Sequence, residues 1–133
     1  IYLHEQSSSI YSVSVQRTAR NTIKQIYSDI YTDLTALLFQ LKKEGNFIIG
    51  IEKTNQSFDI QSYNFSHHKK ITLLLGIERQ GLQNLDLVDV SVSIPMYGVN
   101  SSMNAMQSMG ITSYEVTNQL GKHFDKIEIK NEI

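Results

Sequence analysis

Two glycine-containing segments of this sequence carry polar side chains directly after an apolar run. The first is the segment 76–81, GIERQG, in which two glycines flank the carboxylate of Glu78. Glycine lets the backbone approach a ligand closely, and a carboxylate at such a bend needs a cationic or hydrogen-bonding partner. The segment lacks the G-x-G-x-x-G and G-K-[ST] patterns of nucleotide-binding loops. It has the composition of a ligand-binding bend, although an ordinary turn with a solvated glutamate explains the same residues.

The second segment is IPMYGVNSSMN at positions 94–104. Pro95 removes a backbone donor and should end a buried strand, Gly98 permits a sharp reversal, and Ser102 resembles the N-cap of a following helix. All four methionines of the chain lie between positions 96 and 109. A methionine stripe at helical spacing is typical of core or subunit-interface packing, and we interpret Met106 and Met109 in that way.

Composition excludes several classes of protein. The 133 residues carry a formal net charge of −1, so RNA binding would need a local basic patch rather than a global field. The absence of cysteine excludes disulfides, thiolate metal sites and cysteine nucleophiles, and four scattered histidines do not indicate a metal protein. No apolar run approaches the ~20 residues of a membrane span. We therefore expect a cytoplasmic protein with neither a metal nor a membrane segment.

The apolar pattern predicts an α/β fold with a mainly parallel sheet and helices on both faces. A helix over 30–44 should have Asp29 as N-cap and Gly45 just past its end. Buried strands are predicted at 47–51, 71–76 and 88–94, a short strand at 1–4, and a second helix from Ser102 to about Val116. The segment 53–70 is polar and irregular, and the tail from His123 fits either a helix or a strand. Because parallel sheets bind ligands beyond the carboxyl ends of their strands, we expect the site at the residues just after Ile51, Gly76 and Ile94.

The strings ITLLLGIERQGL and VSIPMYGVNSSMNA resemble the second and third signature motifs of the SpoU/TrmH branch of the SPOUT methyltransferase superfamily. The usual forms of these motifs are L-G-x-E-x-x-G-L and I-P-M-x-G-x-x-x-S-[LM]-N. The resemblance implies a homodimer with a deep C-terminal trefoil knot that binds S-adenosylmethionine. It also implies transfer of a methyl group to RNA, either tRNA or rRNA, mostly at a ribose 2′-oxygen.

The same resemblance assigns site residues by matching positions. Residues implied to bind the cofactor are Ile51, Gly76, Gly81, Ile94, Met96, Gly98 and Met103. Residues implied to face the reacting end are Glu78, Ser102 and Asn104.

The family's first motif, N-x-G-x-x-x-R, supplies a key arginine and is missing from this sequence. Arg17 is followed by Thr and Ala as in many relatives, but Val13 and Tyr11 stand where the motif requires Gly and Asn. Residues 17–20 resemble instead a polar segment beyond the family's second strand. We therefore expect that residues 1–133 form a single SpoU-type domain whose first strand and helix precede Ile1.

Three hypotheses are compatible with these observations. The first is an RNA 2′-O-methyltransferase whose catalytic arginine lies outside the given residues. The second is a non-catalytic dimeric relative that binds RNA or the cofactor, and the third is an unrelated α/β nucleotide-binding protein. A basic cluster could bind RNA phosphates, although such residues are usually solvated surface. It comprises Lys42, Lys43, His67, His68, Lys69 and Lys70.

Overall fold

The structure is a computed structural model that describes residues 1–7, 9, 11–19, 22–76, 81–82 and 84–121. Its contacts divide into two compact units, Ile1–Gln40 and Leu41–Ile133. Glu78 and the tail from His123 lie outside the described residues, so the predictions made for them stay predictions. The expected single incomplete domain also stays a prediction.

The first unit contains two short strands that pair in parallel. Strand β1 is Tyr2–His4, as predicted, and β2 is Asp29–Tyr31. Helix α1, Val13–Ala19, and a 3-10 turn at Thr22–Gln25 lie between them. Arg17 is an exposed residue of α1, within the segment that connects β1 to β2. The prediction of Asp29 as a helix N-cap is wrong, because its backbone N–H donates to the carbonyl of Ile1 within this strand pair (2.9 Å).

Helix α2, Leu34–Lys43, starts four residues later and ends one residue earlier than predicted. Its first turn is capped by Asp33, whose Oδ1 accepts a hydrogen bond from the Ala36 N–H (3.1 Å). Beyond its last turn, Gly45 has φ of 85°, the left-handed conformation that commonly follows a helix.

The second unit is built on a four-stranded parallel sheet. Strands β3 (Phe47–Ile51), β5 (Ile71–Leu75) and β6 (Val90–Ser93) confirm the three predicted strands, with the last two shorter than predicted, but only β3 is mostly buried, and all of β5 is partly buried. A two-residue strand, β4 (Phe58–Asp59), was missed within the polar segment. The strand order is β4-β6-β3-β5, and every pairing is parallel. The carboxyl ends of all four strands therefore meet at one edge.

Helix α3, Ala105–Leu120, covers one face of this sheet. Its Val116 packs in the main core against residues from β3, β6 and the segment after β4, namely Ile49, Ile51, Ile60, Phe65 and Val92. Met109 packs against the same core, as predicted, whereas Met106 is 72% exposed. At the other end of the helix, the Gln119 side chain accepts from the Phe65 N–H (2.8 Å) and donates to the Tyr63 carbonyl (3.1 Å).

Candidate functional site

A cavity of about 530 Å³ lies at the carboxyl edge of the sheet. Three segments line it, each beginning where a strand ends: the residues after β3, the bend after β5, and the residues after β6. They bring both apolar and polar side chains to one place. The lining residues are Ile51, Glu52, Lys53, Leu75, Gly76, Gly81, Ser93, Ile94, Met96, Ser101, Ser102, Met103, Asn104, Ala105 and Ser108.

The glycine bend after β5 is closed by direct backbone contact. A Cβ atom on Gly76 would lie 2.3 Å from the carbonyl carbon of Gly81 and 2.5 Å from the backbone nitrogen of Leu82. Gly81 itself has φ of 66°, a left-handed conformation that other residues rarely adopt. The bend therefore returns to its own start, and both glycines are required by geometry.

Glu52, the first residue after β3, joins this bend to the sheet. Its Oε2 accepts a hydrogen bond from the Leu82 N–H (2.8 Å), and its Oε1 accepts one from the Lys53 N–H (3.1 Å). Neither Glu52 nor Lys53 was assigned a role from the motifs, although both lie just after Ile51, where the site was expected. The signal was present, because both directly follow a buried parallel strand, but no glycine or motif marks them.

The segment after β6 reaches the cavity through the start of α3. The N-cap of α3 is Asn104, whose Oδ1 accepts hydrogen bonds from the N–H groups of Met106 (2.9 Å) and Gln107 (3.4 Å). The prediction that Ser102 is the N-cap, with a helix starting there, is therefore wrong. The longer side chain of Asn104 takes that place, and Ser102 remains in the cavity lining.

The structure brings most of the predicted site residues together. All of them line this one cavity except Glu78, which lies outside the described residues, and Gly98, which is not in the lining. A Cβ on Gly98 would meet no atom within 4 Å, and its neighbours Tyr97 and Val99 are fully solvent-accessible. The roles assigned to these residues remain predictions.

The predicted basic cluster lies at the opposite, amino edge of the sheet. Most of its members surround a depression of about 370 Å³, but Lys42 pairs with Asp89 (2.8 Å) and the Lys70 ammonium donates to the carbonyl of Glu44 (3.1 Å). Nearby, burial and the Asp89 carboxylate raise the pKa of the Tyr63 phenol. The role of this cluster in phosphate binding stays a prediction.

Within the part of the chain that the structure describes, no three His, Asp or Glu side chains are grouped as metal ligands would be. Over the same residues, no helix combines the length and apolar character that crossing a bilayer requires.

The fold is shared with known RNA methyltransferases. The AdoMet-bound rRNA methyltransferase from Sinorhizobium meliloti superposes with a TM-score of 0.79 at 20% identity, over 90% of this chain and 46% of that one. The fold and its carboxyl-edge cavity therefore place the chain in the class of α/β proteins with a parallel sheet that this structure represents.

The chain belongs to the SpoU rRNA Methylase family, whose sequence profile matches residues 1–114. The mouse tRNA (guanosine(18)-2′-O)-methyltransferase TARBP1 is 39% identical over 90 residues, or 66% of this chain. The Saccharomyces cerevisiae tRNA (guanosine(18)-2′-O)-methyltransferase is 32% identical over 89 residues, or 65% of this chain. The aligned part is 6% of the length of each of these relatives. These findings confirm the resemblance to the SpoU/TrmH branch.

Proposed function

We propose that this chain binds S-adenosylmethionine in the carboxyl-edge cavity and transfers its methyl group to a ribose 2′-oxygen of RNA. One observation carries the proposal: the two motif segments, which stand on either side of strand β6 in the sequence, line the same cavity. The names of the mouse and yeast relatives favour tRNA as the substrate, and the family's name also admits rRNA.

The cavity suits a nucleoside ligand in size and chemistry. Ligand pockets usually enclose about 300–1,000 Å³ and combine apolar walls with a few polar groups, and this cavity lies within that range. Ile51, Ile94 and Met96 offer apolar surface for a purine. Ser102 and Asn104 offer hydroxyl and amide groups, and the glycines at 76 and 81 leave the backbone uncovered.

When bound, the cofactor would supply a methyl group carried on a positively charged sulfur. Once the methyl group is transferred, the rest of the cofactor is a neutral thioether. Residues of the cavity lining such as Ile51, Met96 and Met103 would hold the cofactor, and a ribose hydroxyl, which must give up its proton to a base, would be the acceptor of the methyl group. Ser102 and Asn104 carry no strong base at neutral pH. In our proposal they align the ribose and exclude water, which are the main requirements of such a transfer. Glu78 is proposed to act beside them at the reacting end.

The proposal predicts that S-adenosylhomocysteine stabilises the protein. A ligand at one hundred times its dissociation constant raises the free energy of unfolding by about 2.7 kcal/mol, because it binds only the folded state. Thermal unfolding measured by circular dichroism, with and without the ligand, gives this shift. Adenosine and homocysteine, added separately at equal concentration, are the controls.

An unchanged melting temperature at saturating S-adenosylhomocysteine would contradict the proposal. The second candidate, a non-catalytic binding module, is favoured by the missing N-x-G-x-x-x-R motif. It predicts the same stabilisation but no transfer of radiolabelled methyl groups to tRNA or rRNA.

We also propose that the segments on either side of the cavity form the trefoil knot of the family. The family membership supports this proposal, as does the convergence of the bend 76–82 and the segment 94–104 on one cavity.

We further propose that the chain forms a homodimer through the outer face of α3. Thr112 and Val116 of this helix are buried, whereas Ile111 and Tyr114, on the opposite face, are 42% and 71% exposed.

Tyr114→Glu should place a charge in the interface and convert the dimer to a monomer, with little change in melting temperature at low protein concentration. Light scattering after size-exclusion chromatography measures the mass. A wild-type monomer at micromolar concentration would contradict the proposal.

A further inference from the structure

The carboxylate of Glu52 bridges two segments that are distant in sequence. Leu82, whose N–H donates to Oε2, lies 30 residues further along the chain, and this side-chain hydrogen bond ties the glycine bend to the end of β3. On its other side, the Glu52 N–H donates to the Val92 carbonyl of β6 (3.0 Å). Glu52 is thus fixed to the sheet by its backbone and to the bend by its side chain.

The bend is shaped around this carboxylate. A Cβ at Gly81 would lie 2.8 Å from Oε2, so the absence of a side chain at 81 is what lets the carboxylate reach the Leu82 N–H. Leu82 in turn packs over Gly50 of β3, where a Cβ would lie 2.6 Å from the Leu82 Cδ2 atom. Glu52, Gly81 and Leu82 therefore pack together, and each one limits the position of the others.

Among the described residues, the groups that donate hydrogen bonds to the Glu52 carboxylate are the backbone N–H groups of Leu82 and Lys53. Glu52 is half-buried, and over the same part of the chain the one salt bridge joins Lys42 to Asp89 rather than involving Glu52. Hydrogen bonds from backbone N–H groups to a carboxylate are stronger than those between neutral partners. Loss of the acceptor would leave the Leu82 N–H without its partner and the bend without its tie to β3.

We propose that Glu52 is a positioning residue that holds Gly81 and Leu82 against β3 and so sets the affinity of the cavity for its adenosyl ligand. This inference rests on the proposed function, because the affinity in question is that for S-adenosylmethionine and its product. Glu52 acts through Leu82 and Gly81, which places it among the residues that shape the site rather than those that react.

The test compares Glu52→Ala, Glu52→Gln and wild type by titration calorimetry with S-adenosylhomocysteine. Glu52→Ala should bind about tenfold to a hundredfold more weakly, the range expected for a lost hydrogen bond to a charged group. Glu52→Gln should stay within about threefold of wild type, because its amide oxygen still accepts from the Leu82 N–H. Rescue by glutamine distinguishes hydrogen-bond acceptance from an effect of charge on the ligand.

Asp89→Ala is the matched control. Its Oδ2 accepts from the Ile48 N–H (2.7 Å), which is the same kind of bond at the amino edge of the same strand. This variant should lower the melting temperature yet bind the ligand like wild type. If Glu52→Ala does not fold, Glu52→Asp, which keeps the charge but shortens the reach, should show the weakened binding.

Three results would overturn the inference. One is wild-type affinity in Glu52→Ala, and another is binding by Glu52→Gln as weak as that of the alanine variant. The third is an equal loss of affinity in Asp89→Ala, which would show that Glu52 affects binding only through the overall stability of the protein. If wild type itself binds no S-adenosylhomocysteine, the proposed function fails, and this inference fails with it.

Discussion

Gly76→Ala should abolish binding of S-adenosylhomocysteine and lower the stability of the protein. The added methyl group would lie 2.3–2.5 Å from main-chain atoms of Gly81 and Leu82, and main-chain atoms cannot rotate away as a side chain can. The bend must open to admit it, so the cavity loses the wall formed by these residues. Overpacking of this kind costs about 1–3 kcal/mol in stability. Calorimetric titration and thermal unfolding measure the two effects.

Gly45→Ala is the control for this experiment. Gly45 also has positive φ, but a Cβ there would meet no atom within 4 Å, and it lies at the other end of the sheet. The strained conformation should cost about 1 kcal/mol without altering the cavity. A Gly76→Ala protein that binds the ligand with wild-type affinity would show that the closed bend is unnecessary for binding.

Replacing Asn104 should separate a structural role from a catalytic one. Its Oδ1 caps α3, and no acceptor among the described residues lies within hydrogen-bonding distance of its Nδ2 group. Nδ2 can therefore donate to a ligand or substrate in the cavity that Asn104 lines. Asn104→Ala removes both functions, so it should cost about 1 kcal/mol in stability from the lost cap and also reduce methyl transfer.

The informative variants are Asn104→Asp and Asn104→Ser, which keep a capping oxygen and remove the amide donor. We expect near-wild-type melting temperatures with methyl transfer lowered by about a hundredfold, the lower end of the range for loss of one donor to a transition state. The assay measures incorporation of radiolabelled methyl groups into tRNA. Full activity in both variants would make Asn104 a helix cap alone.

The sequence allowed most of the central sheet to be predicted because β3 and β5 lie in mostly apolar runs and β6 alternates apolar with polar residues. Continuous apolar runs such as 47–51 have few alternatives to a parallel strand. The short strands β2 and β4 carry no such signal, since Asp29–Tyr31 and Phe58–Asp59 are extended only because a distant partner pairs with them. The same pairing explains the wrong helix start, because β2 occupies residues that the apolar spacing assigned to α2.

Site residues could be predicted where a glycine or proline indicates a constrained backbone. They could not be predicted where a side chain forms a hydrogen bond with a distant backbone group. Both bends were located from such residues. Glu52 was missed because its role depends on Leu82, a contact that three-dimensional structure creates and that local sequence does not encode. Gly98 was assigned through the motif, yet the open space around it shows no steric need for glycine.

The two sides of the cavity differ in their freedom to change during evolution. Gly76 has no room for any side chain, and Gly81 combines left-handed φ with a carboxylate where a side chain would begin, so neither position can vary without rebuilding the bend. On the facing segment from Met96 to Asn104, Gly98 has no atom within 4 Å of an added Cβ, so this position carries no comparable steric restriction. Substitutions that change ligand preference among descendants of this protein would therefore accumulate on that facing segment, whereas Gly76 and Gly81 would be retained.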